Sequence, residues 1–354
     1  MKVLIFATTY IPFIGGAEIA VDEITKRIPD VEFDMITVNL DGKQRKFERI
    51  GNVNVYRISG PKILFPIVAF IKSFSLKKKY DLIWSIMASY AGFASLFFKF
   101  VKPKVPFLLT LQEGDSKKEL KWKFRYVYFL FKMIIKKANM VQAISKYLED
   151  FAKEFNSKTI VIPNGVDVEK FSRPKREIGD EVTLVTTSRL VMKNAVSDII
   201  KSLEYLPENV KLVIVGDGEL RSSLEKESDL SRVRFAGQLK HPELIAELQS
   251  ADIFVRPSLS EGFGNSFVEA MASRLPVIAT PVGGIVDFLK DKETGFFCKV
   301  NDPRDIAEKV KFIINNPVHT ERVVENAYHM VLDRYSWDTI SKKMKNSVFD
   351  VLFS

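Results

Sequence analysis

Residues 260–284 read SEGFGNSFVEAMASRLPVIATPVGG. A glycine-containing turn leads into a short helical run from Ser266, then a buried-strand run from Pro276 to Thr280 and a second glycine turn. Helix and buried strand alternating at this spacing belong to a sheet covered by helices. Glycine turns let backbone N–H groups approach an anion closely, and the helix starting at Ser266 turns its positive end toward the same place. The stretch therefore reads as a site for a phosphate-bearing ligand.

Working outward, the same alternation runs through the whole chain. Val3–Ala7, Phe33–Val38, Val53–Ile58, Leu82–Ile86, Phe107–Leu111 and Val141–Ile144 read as strands, with amphipathic runs after most of them. After Ile160–Ile162 comes PNGVDVEKFSRPKREIGDE, rich in turn residues and charge, which reads as a linker. A second series follows: strands at Thr183–Thr187, Leu212–Val215, Val233–Ala236, Ile253–Val255 and Val277–Ala279, with helices near 195–206, 219–228, 241–250 and 266–274. The pattern predicts an α/β protein of two doubly wound, Rossmann-like domains facing each other across a cleft, residues 1–175 and 176–337, with ligands beyond the strand C-termini. At 354 residues the chain is long enough for two domains, each with its own core.

Composition excludes several classes. With 46% hydrophobic and 27% charged residues the chain reads as globular and soluble, and its longest apolar run, Ile63–Ile71, is too short to span a bilayer and contains a proline. The opening MKVLIFATTYIPFIGGA has the parts of a signal peptide but reads better as a first buried strand and its glycine turn. Cys298 is the single cysteine and has no internal disulfide partner, which fits a cytoplasmic location. Charge is uneven: residues 1–176 hold 31 Lys and Arg against 17 Asp and Glu, a balance of +14, whereas the remainder carries −5. The first half is built to meet an acidic partner.

The chemistry-bearing residues gather after strands. Arg189 follows VTLVTTS and Lys193 comes four residues later, where a guanidinium fork and an ammonium suit two phosphates and a departing diphosphate. Taken alone, such a pair is more often two solvated surface charges; the glutamates of residues 260–284 change that balance. Glu269 has a bland explanation, because Ser266 to Glu269 has capping-box spacing. Glu261, in the loop ahead of the helix, has no structural duty visible in the sequence. Gly15-Gly16-Ala17 either approaches a phosphate or turns the chain into a helix, and Gly216-Asp217-Gly218 lacks the third glycine of a dinucleotide fingerprint.

Together these segments resemble the retaining glycosyltransferases of family 4, with the GT-B fold. EGFGNSFVEA looks like the family's E-x7-E element, and the likeness continues through GGAE at 15–18, AISKYLEDF at 143–151, PNGVD at 163–167, SRLVMKNA at 188–195, VGDGEL at 215–220, FAGQL at 235–239, PVIATPVGG at 276–284 and ETGFF at 293–297. YSWD at 335–338 resembles the point where the family's last helix returns to the N-terminal domain. The resemblance implies an acceptor-binding first domain joined by a returning helix at about 338–354, and a nucleotide-sugar-binding second domain. It implies a metal-independent reaction without a cofactor, with a nucleoside diphosphate sugar as donor. Arg189 and Lys193 would hold the diphosphate, Glu269 the ribose hydroxyls, and Glu261 the sugar end beside the reacting centre. Backbone amides of Asn265, Ser266 and Phe267 would take the distal phosphate, with Gly264 beside them in the donor site, Gly237, Gln238 and Leu239 would line the base, and Gly16 would permit close approach from the other domain.

Three departures from the family pattern stand out: Gln112 where a histidine is frequent, Ser188 where glycine commonly precedes the arginine, and Arg274 where glycine commonly precedes the leucine-proline step. Gln112 is kept as a positioning residue. The acceptor side must also explain the basic first half. Treated as a helix, residues 117–138 put Lys118, Lys121, Arg125, Lys132 and Lys136 on one stripe with Trp122 and Phe129 beside it, and Leu120, Phe124, Val127, Phe131, Ile134 and Ala138 on the core side. Basic residues interleaved with aromatics suit an anionic membrane and a glycan or glycolipid acceptor there, with the protein peripheral on the inner face. An ordinary charged helix is the alternative, and nucleic acid, supported by charge alone, is not expected as a partner. Two competing functions remain: a sugar-nucleotide epimerase on the same fold, and an inactive sugar-nucleotide-binding module.

Overall fold

Short β-branched runs spaced by amphipathic segments leave the chain one economical solution, a parallel sheet buried on both faces by helices. The computed structural model, which describes residues 1–13, 15–114, 125, 127–175 and 178–353, adopts that solution twice. Its compact units are Met1–Asn164 with Trp337–Ser354, and Gly165–Ser336. The change of unit thus falls at Asn164/Gly165, ahead of the expected break at 175, and Val166 is tied by a parallel bridge to Ser336 within the second unit.

In the first unit the strands are β1 (Lys2–Phe6), β2 (Glu32–Val38), β3 (Phe47–Ile50), β4 (Val53–Ile58), β5 (Leu82–Ile86), β6 (Phe107–Leu111), β7 (Met140–Ala143) and β8 (Thr159–Val161), in the order β3-β4-β2-β1-β5-β6-β7-β8. All neighbours pair in parallel except β3 with β4. Alternation along β1 sends Leu4 and Phe6 to one face and Val3 and Ile5 to the other. The first face is covered by the helices Phe65–Ser75, Tyr90–Val101 and Tyr128–Lys137 through Phe65, Ala69, Phe93, Phe131 and Ile134. Against the other face lie the helix Gly16–Lys26 and the C-terminal segment, which contributes Trp337, Ile340, Met344, Val348 and Phe349. The expected return of the chain end to the first domain is therefore an apolar docking that completes its core.

The second unit has β9 (Val182–Thr187), β10 (Val210–Val215), β11 (Val233–Gly237), β12 (Ile253–Arg256), β13 (Val277–Ala279) and β14 (Phe296–Phe297), all parallel, in the order β11-β10-β9-β12-β13-β14. Strand order reverses between β9 and β12, so a crevice opens at the C-terminal ends of those two strands. Three strands went unread in the sequence, β8 among them because Ile160–Ile162 was taken only as the approach to the linker. The edge strand β3, FERI, mixes charge with apolar residues and is half-exposed, and β14 has only two residues.

The long basic helix is corrected in part. Lys118, Lys121 and Trp122 lie outside the described residues. Arg125 and Val127 stand in a turn, and the helix opens only at Tyr128, so Arg125 shares no helical face with Lys132. Phe131, Ile134 and Ala138 are buried as expected, but Val127 is exposed. No helix among the described residues is long and apolar enough to cross a membrane.

Candidate functional site

The crevice predicted by the strand order is built around a residue that was not singled out in the sequence. Arg256 ends β12 and turns its guanidinium into the loops beyond the sheet. Its Nη1 donates to Ser266 Oγ at 2.7 Å, and its Nη2 donates to Glu261 Oε2 at 2.7 Å and to Asn194 Oδ1 at 3.1 Å. The guanidinium also lies 5.3 Å from the Phe267 ring centre. Asn194 is buried and passes the connection on, its Nδ2 donating to the Arg189 carbonyl at 2.6 Å. One cation therefore fixes three segments: the loop bearing Arg189 and Lys193, the loop bearing Glu261, and the first turn of the following helix. A charge at the end of the apolar run IFVR was the available signal.

Glu261 is corrected accordingly. It has a structural duty after all, since it forms an ion pair with Arg256 in which both side chains are largely buried. Its second oxygen accepts from the Gly262 N–H at 3.2 Å. The glycines on either side hold this loop closed. Gly264 has φ 91°, and a Cβ there would stand 2.5 Å from the Phe267 ring. Gly283 has φ 55°, and its Cβ would meet the Glu261 carbonyl oxygen at 1.9 Å, while the neighbouring Gly284 N–H donates to that oxygen at 3.1 Å. The two glycine turns that bracket residues 260–284 thus close on the same glutamate.

Ser266 does not cap the helix. The helix is Asn265–Ala272, and its cap position is Gly264 in the left-handed region, with no side-chain cap. Glu269 therefore lies past the reach of a capping box, and the Ser266 hydroxyl is engaged by Arg256. Phe267 N–H is also committed, to the Gly264 carbonyl at 3.1 Å, so it is withdrawn from the proposed phosphate amides. Ser266 N–H remains without a partner among the described residues, at the positive end of the helix. Freed from capping, the partly buried Glu269 carboxylate makes no hydrogen bond or ion pair among the described residues. Burial pushes its pKa up to about 7, with the Arg256 charge pulling in the opposite direction.

The remaining residues fall along the same edge of the second sheet. Arg189, two residues past β9, is exposed, and its guanidinium has no partner among the described residues; Lys193 is partly buried in the short turn Met192–Asn194. Gly237 ends β11 with φ 69°, followed by an exposed Gln238 and a half-buried Leu239. Gly216, after β10, has φ 129°, and a Cβ there would lie 1.9 Å from the Ser188 carbonyl oxygen. Ser188 itself needs no positive φ, so that departure is neutral. Arg274 does take a positive φ, 53°, which explains why glycine suits that place. Here the guanidinium stacks 3.7 Å from the Tyr328 ring centre and pairs with Glu325.

In the first unit, Gly16 opens the helix after β1, behind an extended Gly15. Gln112 follows β6 and accepts from Asn164 Nδ2 at 3.4 Å. Its neighbour Glu113, missed in the sequence, is buried and accepts from the backbone N–H groups of Ala88 at 2.8 Å and Gln112 at 3.0 Å. That carboxylate pins the Gln112 backbone at the strand end. On the other helical layer Phe129 is 71% exposed, and Lys132 lies 4.7 Å from the Tyr128 ring centre.

Residues 167–330 match the family described as Glycosyl transferases group 1, and residues 14–170 match Glycosyltransferase Family 4. Over 344 residues the chain is 30% identical to an uncharacterised glycosyltransferase of Methanocaldococcus jannaschii, covering 96% of this chain and 95% of that one. It is 28% identical over 239 residues to TuaC, a putative teichuronic acid biosynthesis glycosyltransferase of Bacillus subtilis, covering 64% of this chain and 60% of that one. Among solved structures, Anabaena HepE in complex with UDP and glucose matches with a TM-score of 0.83 at 20% identity, covering 99% of this chain and 100% of that one. Sucrose-phosphate synthase from Thermosynechococcus elongatus matches with a TM-score of 0.84 at 20% identity, over 99% of both chains. At such identities the two structures speak for the fold alone. Sequence family and fold agree: the chain belongs to the family-4 glycosyltransferases and has the GT-B fold.

Proposed function

We propose that this enzyme transfers a sugar from a nucleoside diphosphate sugar to a hydroxyl of a glycan or glycolipid, with retention and without a metal ion, at the cytoplasmic face of a membrane. The observation that carries this reading is the gathering, at the strand C-termini of the second unit, of an uncapped helix N-terminus, an uncommitted Arg189 guanidinium and an uncommitted Glu269 carboxylate. In the reaction the bond between the anomeric carbon and the diphosphate oxygen breaks. The acceptor oxygen bonds to that carbon on the face the diphosphate leaves, and the acceptor proton passes to the leaving phosphate. Arg189, Lys193 and the helix N-terminus stabilise the departing charge. Glu269 accepts from the ribose hydroxyls, Gly237 to Leu239 line the base, and Glu261 faces the sugar. Gly16 keeps the role that the family resemblance implies, and Gln112, a departure from the family pattern, serves as a positioning residue. On the membrane side Arg125, Phe129 and Lys132 are the described members of the basic, aromatic segment. TuaC, by its name a teichuronic acid biosynthesis enzyme, supports a glycan acceptor.

The test is incubation with a panel of nucleoside diphosphate sugars, beginning with UDP-glucose, while diphosphate release is followed with and without acceptor and EDTA. Release that needs an acceptor, persists in EDTA and gives a product with the donor's anomeric configuration is the expected result. Loss of all turnover in EDTA overturns the metal-independent mechanism. Turnover without an acceptor, giving an epimerised sugar, selects the epimerase, and binding without turnover the inactive module. Arg189→Ala lowers the transfer rate by about 10- to 1,000-fold, as removal of one oriented charge-stabilising group does, and also weakens UDP binding.

Glu269 gives the binding step a pH signature. Burial pushes its carboxyl up to about 7 in the empty site, and a pair of ribose hydroxyls donates more strongly to the ionised form than to the neutral acid, so binding lowers its pKa and releases a proton. UDP affinity therefore rises with pH up to about 7 and declines as pH falls below it. Calorimetric titrations of wild type and Glu269→Gln separate this from titration of UDP itself, which both proteins share. Parallel pH profiles for the two proteins contradict the assignment.

A further inference from the structure

The longest apolar run of the sequence, Ile63–Ile71, does not end in the core. Within and just ahead of the Phe65–Ser75 helix, Phe65, Pro66, Ala69 and Ser73 face inward, whereas Leu64, Ile67, Val68 and Ile71 are 48%, 54%, 38% and 60% exposed. Their spacing places those four on one outward stripe. An outward stripe on a solvated helix is normally polar, and a contiguous apolar one marks an interaction surface. The neighbouring helices add exposed aromatics: the adjoining helix Tyr90–Val101 exposes Phe100, and the next, Tyr128–Lys137, exposes Phe129. All three helices belong to one layer on one face of the first sheet.

The rim of this band selects its occupant. Between Pro61 and Thr110 the sequence has eight lysines and a single acid, Asp81. Exposed Lys62, Lys77, Lys79, Lys102 and Lys104, with the half-buried Lys72, stand along the ends and connections of the first two helices. A second copy of the chain on this face would set lysines against lysines, which disfavours self-association. A surface of phosphate headgroups over acyl chains offers the complement to both features, and an 11-residue helix is long enough to lie in that interface but not to span it.

We propose that this helical layer of the first unit docks on an anionic bilayer, with the Phe65–Ser75 helix lying in the interface plane and Leu64, Ile67, Val68 and Ile71 entering the acyl boundary. The docking deepens the membrane-side reading above and rests on it for its purpose, which is to bring the enzyme to a lipid-borne acceptor. Its measurement needs no sugar nucleotide. The full-length protein is sedimented with vesicles of phosphatidylcholine alone and of phosphatidylcholine with about one-third phosphatidylglycerol, near physiological salt. Binding to the anionic vesicles only is expected, with partitioning reduced about 10-fold or more in Ile67→Ser/Ile71→Ser and in Lys77→Glu/Lys79→Glu. Because these positions are exposed, melting temperature and turnover of a soluble acceptor stay at wild-type values. Equal partitioning by the wild type and Ile67→Ser/Ile71→Ser overturns the proposal, as does absence of wild-type binding. A wild-type dimer in size-exclusion chromatography that the isoleucine variant loses assigns the face to a second copy instead. Vesicle binding without any sugar transfer leaves this inference standing and removes the catalytic reading.

Discussion

Glu261→Gln lowers sugar transfer by about 100- to 1,000-fold, the scale of losing one oriented group at a reacting centre, and leaves UDP affinity within a few-fold of wild type. The glutamine carbonyl still accepts from Arg256 Nη2, so the three loops gathered by that guanidinium keep their places; what is removed is the negative charge at the proposed sugar end and the longer hydrogen bond from the Gly262 N–H. Glu261→Ala is the poorer experiment. It strands a largely buried cation whose Nε already has no partner among the described residues, so lost activity would mix with lost structure, at a cost of about 3–5 kcal/mol for breaking such a pair. Measuring kcat, KM and UDP affinity separately decides the matter. A fall in UDP affinity as large as the fall in kcat contradicts the division between a donor-holding Glu269 and a sugar-facing Glu261.

Gly283→Ala has the larger structural consequence. The added Cβ would stand 1.9 Å from the Glu261 carbonyl oxygen, at a backbone angle of 55° that an alanine resists. The loop must open and give up the hydrogen bond from Gly284, so the second unit loses about 3 kcal/mol or more, and nucleotide binding with it. Gly179→Ala serves as the control, since a Cβ there meets nothing within 4 Å and stability is unchanged. Denaturant midpoints for the two variants test the contrast. Equal midpoints contradict the clamp.

The strands were legible because most of them are short apolar runs with at least one buried face, and eleven of the fourteen were read from the sequence. Individual site residues were legible where a charge follows such a run, as Arg189 does. The relations among them were not. Glu261 looked free because its partner, Arg256, is five residues away across a strand end, and a single arginine in an apolar strand reads as an edge residue. The capping box looked complete because spacing cannot reveal that Gly264, in the left-handed region, takes the cap position two residues ahead of Ser266. The exposed stripe of Ile63–Ile71 was hidden for a related reason: hydrophobicity predicts burial, and only packing says against what.

The bridge between Val166 and Ser336 has a consequence for how the chain is made. The second unit begins and ends at adjacent points, as an inserted module does, whereas the first unit is filled on one face by Trp337, Ile340, Met344, Val348 and Phe349. On the ribosome, the domain begun first waits for side chains translated after the other is complete. Its exposed sheet face must be shielded meanwhile, and the order of synthesis is the reverse of the order of completion.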